Sequence, residues 1–229
     1  MNQILTSLIE ALKLITSLDR EVYMIILLSL IVSISSTTIA ALGAIPTGVF
    51  IGSKEFRGKK ILVRLINTFM GIPPVVAGLV VYMILSRKGP LGFLDILFTP
   101  AAMIIAQVLI IFPIVTGLII SAVKSKVKII WETGKGIGLG DGKILRLLFH
   151  ECRYPIISAI IAGYGRAISE VGAITLVGGN IQFRTRVMTT AIVLETGKGN
   201  FDIALALGII LLSISFVINY IAHRIQENR

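Results

Sequence analysis

The sequence predicts an all-α membrane protein, a polytopic bundle of about five transmembrane helices. Of its 229 residues, 55% are hydrophobic, and the mean hydropathy is +0.92. Too few polar side chains remain to cover a water-soluble domain of this size. The apolar residues also stand in long uninterrupted blocks, without the alternation of strands or the one-sided spacing of helices in soluble proteins. Both observations indicate that lipid surrounds most of the chain.

Five apolar blocks define the predicted spans of a single transmembrane domain, residues 1–229. The spans lie at about 22–51, 65–86, 97–123, 155–177 and 203–222. Each is long enough to cross the hydrocarbon core, which takes roughly 20 residues of helix. The fourth span is unusual because it contains two charged residues. Ahead of the first span, residues 1–20 place apolar side chains opposite Glu10 and Lys13. This pattern predicts a helix that lies in the membrane interface.

Basic residues cluster in two of the connections, residues 54–64 and 124–153. Short loops rich in lysine and arginine stay on the cytoplasmic side of a membrane. With five spans, both clusters are cytoplasmic only if the amino terminus lies outside the cell and the carboxyl terminus, with Arg224 and Arg229, lies inside. We therefore predict a multi-pass protein of the cell membrane in this orientation, with membrane lipid around it.

Little in the sequence supports catalysis, metal binding or nucleic-acid binding by this chain. The formal net charge is +10, but the basic residues are confined to connections and few aromatic residues accompany them, unlike a nucleic-acid interface. Cys152, His150 and His223 have no partners at metal-ligand spacing, so we expect structural or solvated roles for them. No catalytic triad or carboxylate pair stands in a span. We expect no catalytic residue, metal or cofactor in this chain.

The connection 124–153 is far longer than two neighbouring helices need, which indicates that it has a function of its own. It contains a glycine-rich stretch, 131–140, followed by an amphipathic stretch, 143–151. A helix, a glycine-permitted turn and a second helix would form a knob that projects from the membrane. A solvated basic loop is the alternative. The glycine run lacks the Gly-Lys-Ser/Thr ending of a phosphate-binding loop, so we expect no nucleotide site here.

Glu132, followed six residues later by Gly138, resembles the EAA loop of ABC-transporter permeases. The match departs from that pattern, because Thr133 and Gly134 stand where two alanines are usual. The resemblance implies that the connection 124–153 is a coupling loop that docks onto an ATP-binding subunit. The residues expected to make this contact are Glu132, Thr133, Gly134, Gly138 and Gly140.

Arg166 and Glu170 of the fourth span are the strongest candidates for function within the membrane. They stand four residues apart, so they share one helix face and can pair. Charges at membrane depth are costly unless they are paired or face water, and they commonly mark a transport path. The alternative is a buried pair that only fixes helix packing. Gly71, Pro73 and Pro74 of the second span predict a kink, which either serves a conduit with two states or reflects ordinary membrane packing.

Three stretches, residues 70–82, 163–173 and 185–196, resemble the permease subunit of tungstate ABC importers, within the group that also carries molybdate and sulfate. The resemblance extends over about residues 5–220. It implies a type I ABC importer permease fold and a homodimer. It also implies two cytoplasmic ATP-binding subunits, which would hold the ATP and Mg, and an extracytoplasmic oxyanion-binding protein.

A dianion needs positive potential along its route, and this requirement suggests roles for the charged candidates. Arg166 and Glu170, with the glycine and prolines of the second span, would line or gate the path. Arg184 and Arg186 would contact the binding protein or the anion. The chain itself would not be an enzyme, because ATP hydrolysis would belong to the partner subunit. Tungstate is the expected substrate, with a molybdate or sulfate permease as the alternative. A self-contained carrier or channel is a further alternative, against which the long basic connection argues.

Overall fold

The computed structural model describes residues 20–227, together with Thr6, Ile9 and Lys13. The predicted interfacial helix at 1–20 therefore lies almost wholly outside the described residues. All regular structure in the described part is helical. It consists of the short 3-10 helix Gly92–Leu94 and nine α-helices: α1 Arg20–Ser53, α2 Lys59–Met70, α3 Pro74–Leu85, α4 Pro100–Gly136, α5 Asp141–Glu151, α6 Arg153–Ile168, α7 Gly172–Gly178, α8 Met188–Gly197 and α9 Phe201–Glu227.

Three helices, α1, α4 and α9, are long and apolar enough to cross a membrane on their own. Two further pairs reach the required length only together. The pair α2 and α3 is bent by 100°, and the pair α6 and α7 by 58°. Counted as one span each, the bent pairs bring the total to five, the number that the sequence predicts. The second predicted span, 65–86, is thus sharply broken where the sequence analysis expected a kink.

Helices α1 and α4 form the central pair of the bundle and run parallel. A β-carbon added to Gly48 would lie 2.7 Å from Ile119, and one added to Gly52 would lie 2.7 Å from Val123, so only glycine allows this close approach. Because the contacts advance together along both helices, the carboxyl-terminal ends of α1 and α4 lie at the same end of the bundle. We call this the inner end, and the opposite one the outer end.

The two basic connections meet at the inner end. A hydrogen bond from Lys59 is the main cause that lowers the pKa of Glu55, and Lys124 contributes through its charge. Similarly, Lys135 chiefly lowers the pKa of Asp141, and Lys54 adds to the effect. Residues of the first connection therefore lie within electrostatic reach of the second connection.

Helix α1 contributes to every apolar cluster of the described chain. Its outer third packs with α6, α8 and α9. Its middle packs with α3, α4 and α7, and with α4, α5 and α6. Its inner end packs with α2 and α4. The opposite surfaces stay apolar and open, with Leu42 70% exposed on α1 and both Leu212 and Phe216 71% exposed on α9. Such surfaces suit lipid or another membrane helix.

Candidate functional site

The two helix breaks pack directly against each other. A β-carbon on Gly78 of α3 would lie 2.6 Å from the Cα of Ala173 on α7. A β-carbon on Gly172 would lie 2.6 Å from the Cγ2 of Val75. Carbon atoms that are not bonded to each other do not approach this closely, so the first turns of α3 and α7 touch only because glycine is present. We call residues 71–75 and 169–173 the break junction.

Prolines shape the first half of the break junction. Pro73 precedes α3 and Pro74 is its first residue, so two of the N–H groups that a helix start leaves without partners are absent. The N–H groups of Gly71 and Ile72 donate back to the last turn of α2. The carbonyl of Pro73 accepts from the first turn of α3. The chain can therefore break at this point while satisfying most of its own backbone, as a membrane interior requires.

Glu170 holds the second half of the break junction together. One carboxylate oxygen, Oε2, pairs with Nη2 of Arg166 on α6 at 3.1 Å. The other, Oε1, accepts the N–H of Ala173 on α7 at 3.1 Å. Its backbone carbonyl accepts the hydroxyl of Thr189 on α8 at 2.9 Å. One residue thus links three helices across the bend between α6 and α7.

The two charged side chains of this pair differ in exposure. The Glu170 side chain is 4% exposed, whereas the Arg166 side chain is 36% exposed. A guanidinium carries five N–H donors, and the contact with Glu170 occupies few of them. Arg166 therefore presents accessible donors and a positive charge beside the break junction, and Glu170 acts as its buried anchor.

A buried amide, Gln107, was missed by the sequence analysis. Its Oε1 accepts the hydroxyl of Ser36 on α1 at 2.6 Å, and its Nε2 donates to the carbonyl of Ala167 at 2.8 Å. Gln107 therefore fixes the last turn of α6 to both central helices, immediately before the bend. The signal in the sequence was a single amide side chain inside an otherwise apolar span.

At the outer end, the structure separates the two arginines that the sequence analysis grouped. Arg184 is exposed. The Arg186 side chain is only 13% exposed, and its Nη1 pairs with Oε1 of Glu21 at 2.9 Å, which ties the segment before α8 to the start of α1. Arg184 is therefore available to a partner protein, whereas Arg186 has a structural contact.

A second group of polar contacts lies at the outer end, near Arg186. Asn200 and Lys198 both donate to the carboxylate of Glu195, each at 2.7 Å. The hydrogen bond from Asn200, followed by that from Lys198, holds the pKa of Glu195 below its ordinary value. These contacts fix the turn between α8 and α9.

At the inner end, residues 124–151 form a helix–turn–helix unit, which we call the knob. The last turns of α4 lead through residues 137–140 into α5. Gly134 is buried, and a β-carbon there would lie 2.7 Å from Cγ1 of Ile144, so glycine lets α5 pack on α4. Gly138 adopts φ +75°, a conformation that favours glycine. Lys135 and Asp141 pair across the turn at 2.6 Å.

The surface of the knob is mixed in character. Four of the five residues expected to contact an ATP-binding subunit are exposed: Glu132, Thr133, Gly138 and Gly140. The fifth, Gly134, supports the packing of α5. Ile129 and Ile137, which the sequence analysis did not single out, are each 68% exposed. The exposed surface of the knob therefore combines apolar and basic side chains.

The knob and the break junction are far apart, but α4 runs from the knob to Gln107, which holds Ala167 just before the break junction. Gln107 and Gly134 both lie in the continuous helix α4. At 1.5 Å per residue, roughly 40 Å of helix separates them. The structure therefore does not bring the two predicted sets of residues together, but one helix, α4, extends from one set towards the other.

The amino-acid sequence of this chain matches a known group of transport proteins. Residues 44–229 match the family described as the inner membrane component of binding-protein-dependent transport systems. The chain belongs to this permease family. It is 44% identical over 217 residues to the tungstate uptake system permease protein TupB of Peptoclostridium acidaminophilum, with 95% of each chain covered. It is 36% identical over 173 residues to TupB of Campylobacter jejuni subsp. jejuni, covering 76% of this chain and 72% of the relative.

A sulfate permease is more distant. The sulfate transport system permease protein CysT of Synechocystis sp. is 24% identical over 181 residues, covering 76% of this chain and 63% of the relative. Family membership and the apolar helices together establish a multi-pass inner membrane protein. The named relatives are permeases of transport systems, not enzymes.

The cysteine and the histidines were the remaining candidates for metal binding or chemistry. Within the described part of the chain, no three histidine, cysteine, aspartate or glutamate residues are grouped so that they could hold a metal ion. Cys152 is buried between α5 and α6, and burial is the main cause that raises the pKa of its thiol. His150 contacts Arg153 at the surface. The side chain of His223 lies outside the described residues.

Proposed function

We propose that this chain is the membrane-spanning subunit of an ATP-driven importer of an oxyanion, tungstate. The observation that carries this proposal is the 44% identity, over 95% of both chains, to a tungstate uptake permease. The break junction supports it, because it puts an accessible arginine beside two broken helices.

The break junction is proposed as the path or gate. An oxyanion with two negative charges needs positive potential along its route, but a deep binding site would retain it. Arg166 supplies one accessible charge, and Glu170 limits its strength. Gly71, Pro73 and Pro74 give the α2–α3 pair a pre-formed bend, so a change in the angle between the two bent pairs could open and close the path.

The energy comes from partner subunits in this proposal. Two cytoplasmic ATP-binding subunits, which hold the ATP and Mg, dock on the knob through Glu132, Thr133, Gly138 and Gly140. Gly134 keeps α5 seated on α4. Closure of the ATP-binding subunits would move the knob, and α4 would carry that movement to the break junction. This chain would then need no cofactor of its own.

The assembly is proposed as a homodimer in which two break junctions share one path. Both basic connections lie at the inner end, which favours a cytoplasmic position for that end and for the carboxyl terminus, with the amino terminus outside. Arg184 then faces an extracytoplasmic oxyanion-binding protein. Arg186, held by Glu21, would position that surface and not touch the partner directly.

The test is ATP-driven uptake of tungstate into vesicles that contain this chain, its ATP-binding subunit and its binding protein, with molybdate and sulfate as competitors. We expect uptake only when all three components are present, and little competition. Strong competition would reassign the substrate. Uptake by the isolated chain would contradict the proposal and favour a self-contained carrier.

A further inference from the structure

A groove at the inner end lies between α4 and α6, apart from the break junction and next to the base of the knob. Its volume is about 600 Å³. Its walls are apolar and mostly small, formed by Leu118 and Ala122 of α4 and by Tyr154, Ser158, Ala159 and Ala162 of α6. We call it the inner groove.

The side chains of each wall follow a helical row. Leu118, Ala122 and Lys126 are four residues apart, so they share one face of α4. Tyr154, Ser158 and Ala162 form the matching row on α6. The hydroxyl of Ser158 donates to the carbonyl of Tyr154 within the helix, at 2.9 Å, so it does not make the groove polar.

Two cations close the same end of this apolar groove. Lys126 continues the α4 row, and its Nζ reaches the backbone carbonyl of Glu151 at 2.9 Å, across the groove end. Arg153 stacks on the ring of Tyr154, 4.8 Å from its centre, and its Nη2 donates to the Tyr154 hydroxyl at 3.2 Å. The exposed carboxylate of Glu151 offsets one of the two charges, so the groove mouth remains positive.

We propose that the inner groove binds an anionic phospholipid, with one acyl chain between α4 and α6 and the phosphate at Lys126 and Arg153. The inference rests on the cytoplasmic position proposed for the inner end, where anionic lipids and basic side chains meet. An apolar slot with cations at one end matches the two parts of such a lipid, whereas a zwitterionic lipid, whose phosphate is offset by its own cation, gains less from the two basic side chains.

The test measures binding of phosphatidylglycerol and of phosphatidylcholine with the same acyl chains to the purified full-length chain, by native mass spectrometry. Lys126→Gln combined with Arg153→Gln should weaken phosphatidylglycerol binding about 25-fold, because each basic side chain near an anionic lipid contributes about five-fold. Binding of phosphatidylcholine should hardly change. The matched control is Arg57→Gln with Lys60→Gln, which removes two exposed charges from the other basic connection and should leave the preference intact.

A second variant tests the groove without touching its charges. Ala162→Phe should fill the groove and weaken phosphatidylglycerol binding, whereas Ala101→Phe, at an exposed alanine near the start of α4, should not. Equal effects of the two charge pairs, or no effect of Ala162→Phe, would overturn the proposal. A third outcome would also overturn it: two copies of an Ala162→Cys variant form a disulfide with each other and retain no lipid, because a second chain then occupies the groove. The readout is lipid binding and does not depend on transport, so its failure is distinguishable from failure of the proposed function.

Discussion

Neutralising Arg166 and Glu170 singly and together separates a role in transport from a role in packing. The variants are Arg166→Gln, Glu170→Gln and the double variant. If the pair only fixes helix packing, the double variant removes both charges and leaves no unpaired charge in the protein. It should then transport as well as the unchanged chain. If Arg166 attracts the anion, the double variant should remain impaired even when it folds normally.

The size of the effect depends on where the anion passes. For the estimate we take a dianion on the exposed side of Arg166, about 8 Å from the guanidinium and about 12 Å from the buried carboxylate. At an effective dielectric constant of about 20, Arg166 then attracts the dianion by about 4 kcal/mol and Glu170 repels it by about 3 kcal/mol. Losing both charges raises the barrier by about 1.4 kcal/mol, or tenfold in rate. Losing Arg166 alone raises it by about 4 kcal/mol, or about a thousandfold.

The assay is the initial rate of ATP-driven tungstate uptake, divided by the amount of assembled transporter. The expected order of rates is unchanged chain, then double variant, then Arg166→Gln. The amount of folded protein provides the control, because an unpaired Glu170 should also lower the stability of the single variant. Full recovery of uptake in the double variant would refute the argument and assign the pair to packing.

Three further predictions concern the break junction, the knob and the outer end. Gly78→Ala should destabilise the chain by about 1–3 kcal/mol, because the new β-carbon must move from 2.6 Å to at least 3.4 Å from the Cα of Ala173. The matched control in thermal unfolding is Gly165→Ala, whose added β-carbon would have no neighbour within 4 Å. Equal melting temperatures of the two variants would contradict the packing described. Gly138→Trp should uncouple ATP hydrolysis from transport in the full transporter while leaving membrane insertion intact. The substitution distorts a turn at φ +75° and adds bulk to the docking surface. Normal transport by this variant would contradict a coupling role for Gly138. The pKa of Glu195 is lower in the folded chain, so its contacts stabilise the fold fully above the ordinary glutamate pKa of about 4.3 and are lost as pH falls through the folded value. Glu195→Gln should therefore make the melting temperature depend less on pH in the acid range. The same pH dependence in that variant and in the unchanged chain would argue against a stabilising role of the carboxylate.

The sequence predicted the helix bundle well because lipid imposes a simple rule, that a span must be long and nearly free of charge. The three long helices follow from that rule, and the clustering of lysine and arginine in two connections predicts that these connections lie on one side. The bend of 100° between α2 and α3 did not, since prolines in a membrane helix indicate a kink but not its angle. In the bent arrangement Gly78 packs against Ala173, a contact between distant parts of the chain that the sequence does not reveal.

The candidate site was predictable only in part, because most of its contacts join residues that are distant in the sequence. Arg166 and Glu170 stood out because charges within a span are rare. The role of Glu170 as a link to Ala173 and Thr189 was hidden, since it depends on where α7 and α8 lie. Gln107 was missed because an amide carries no charge. Arg184 and Arg186 are neighbours in sequence, yet only the fold shows that Glu21 holds one of them.

Thiol labelling at the two helix breaks tests whether the anion passes the break junction. Cys152 is the single cysteine of the chain, so a variant without it provides a clean background. Cysteine would be placed at Gly71 or at Ser169, both exposed at the break junction, and at Leu42 as a control on the outer surface of α1. In the assembled transporter, a negatively charged thiol reagent should label the first two positions, and tungstate should slow that labelling. Leu42→Cys lies on a surface that suits lipid, which a charged reagent does not enter, so it should stay unlabelled with or without tungstate. If the reagent fails to label the break junction, or if tungstate does not slow the labelling, the claim that the anion passes there is contradicted.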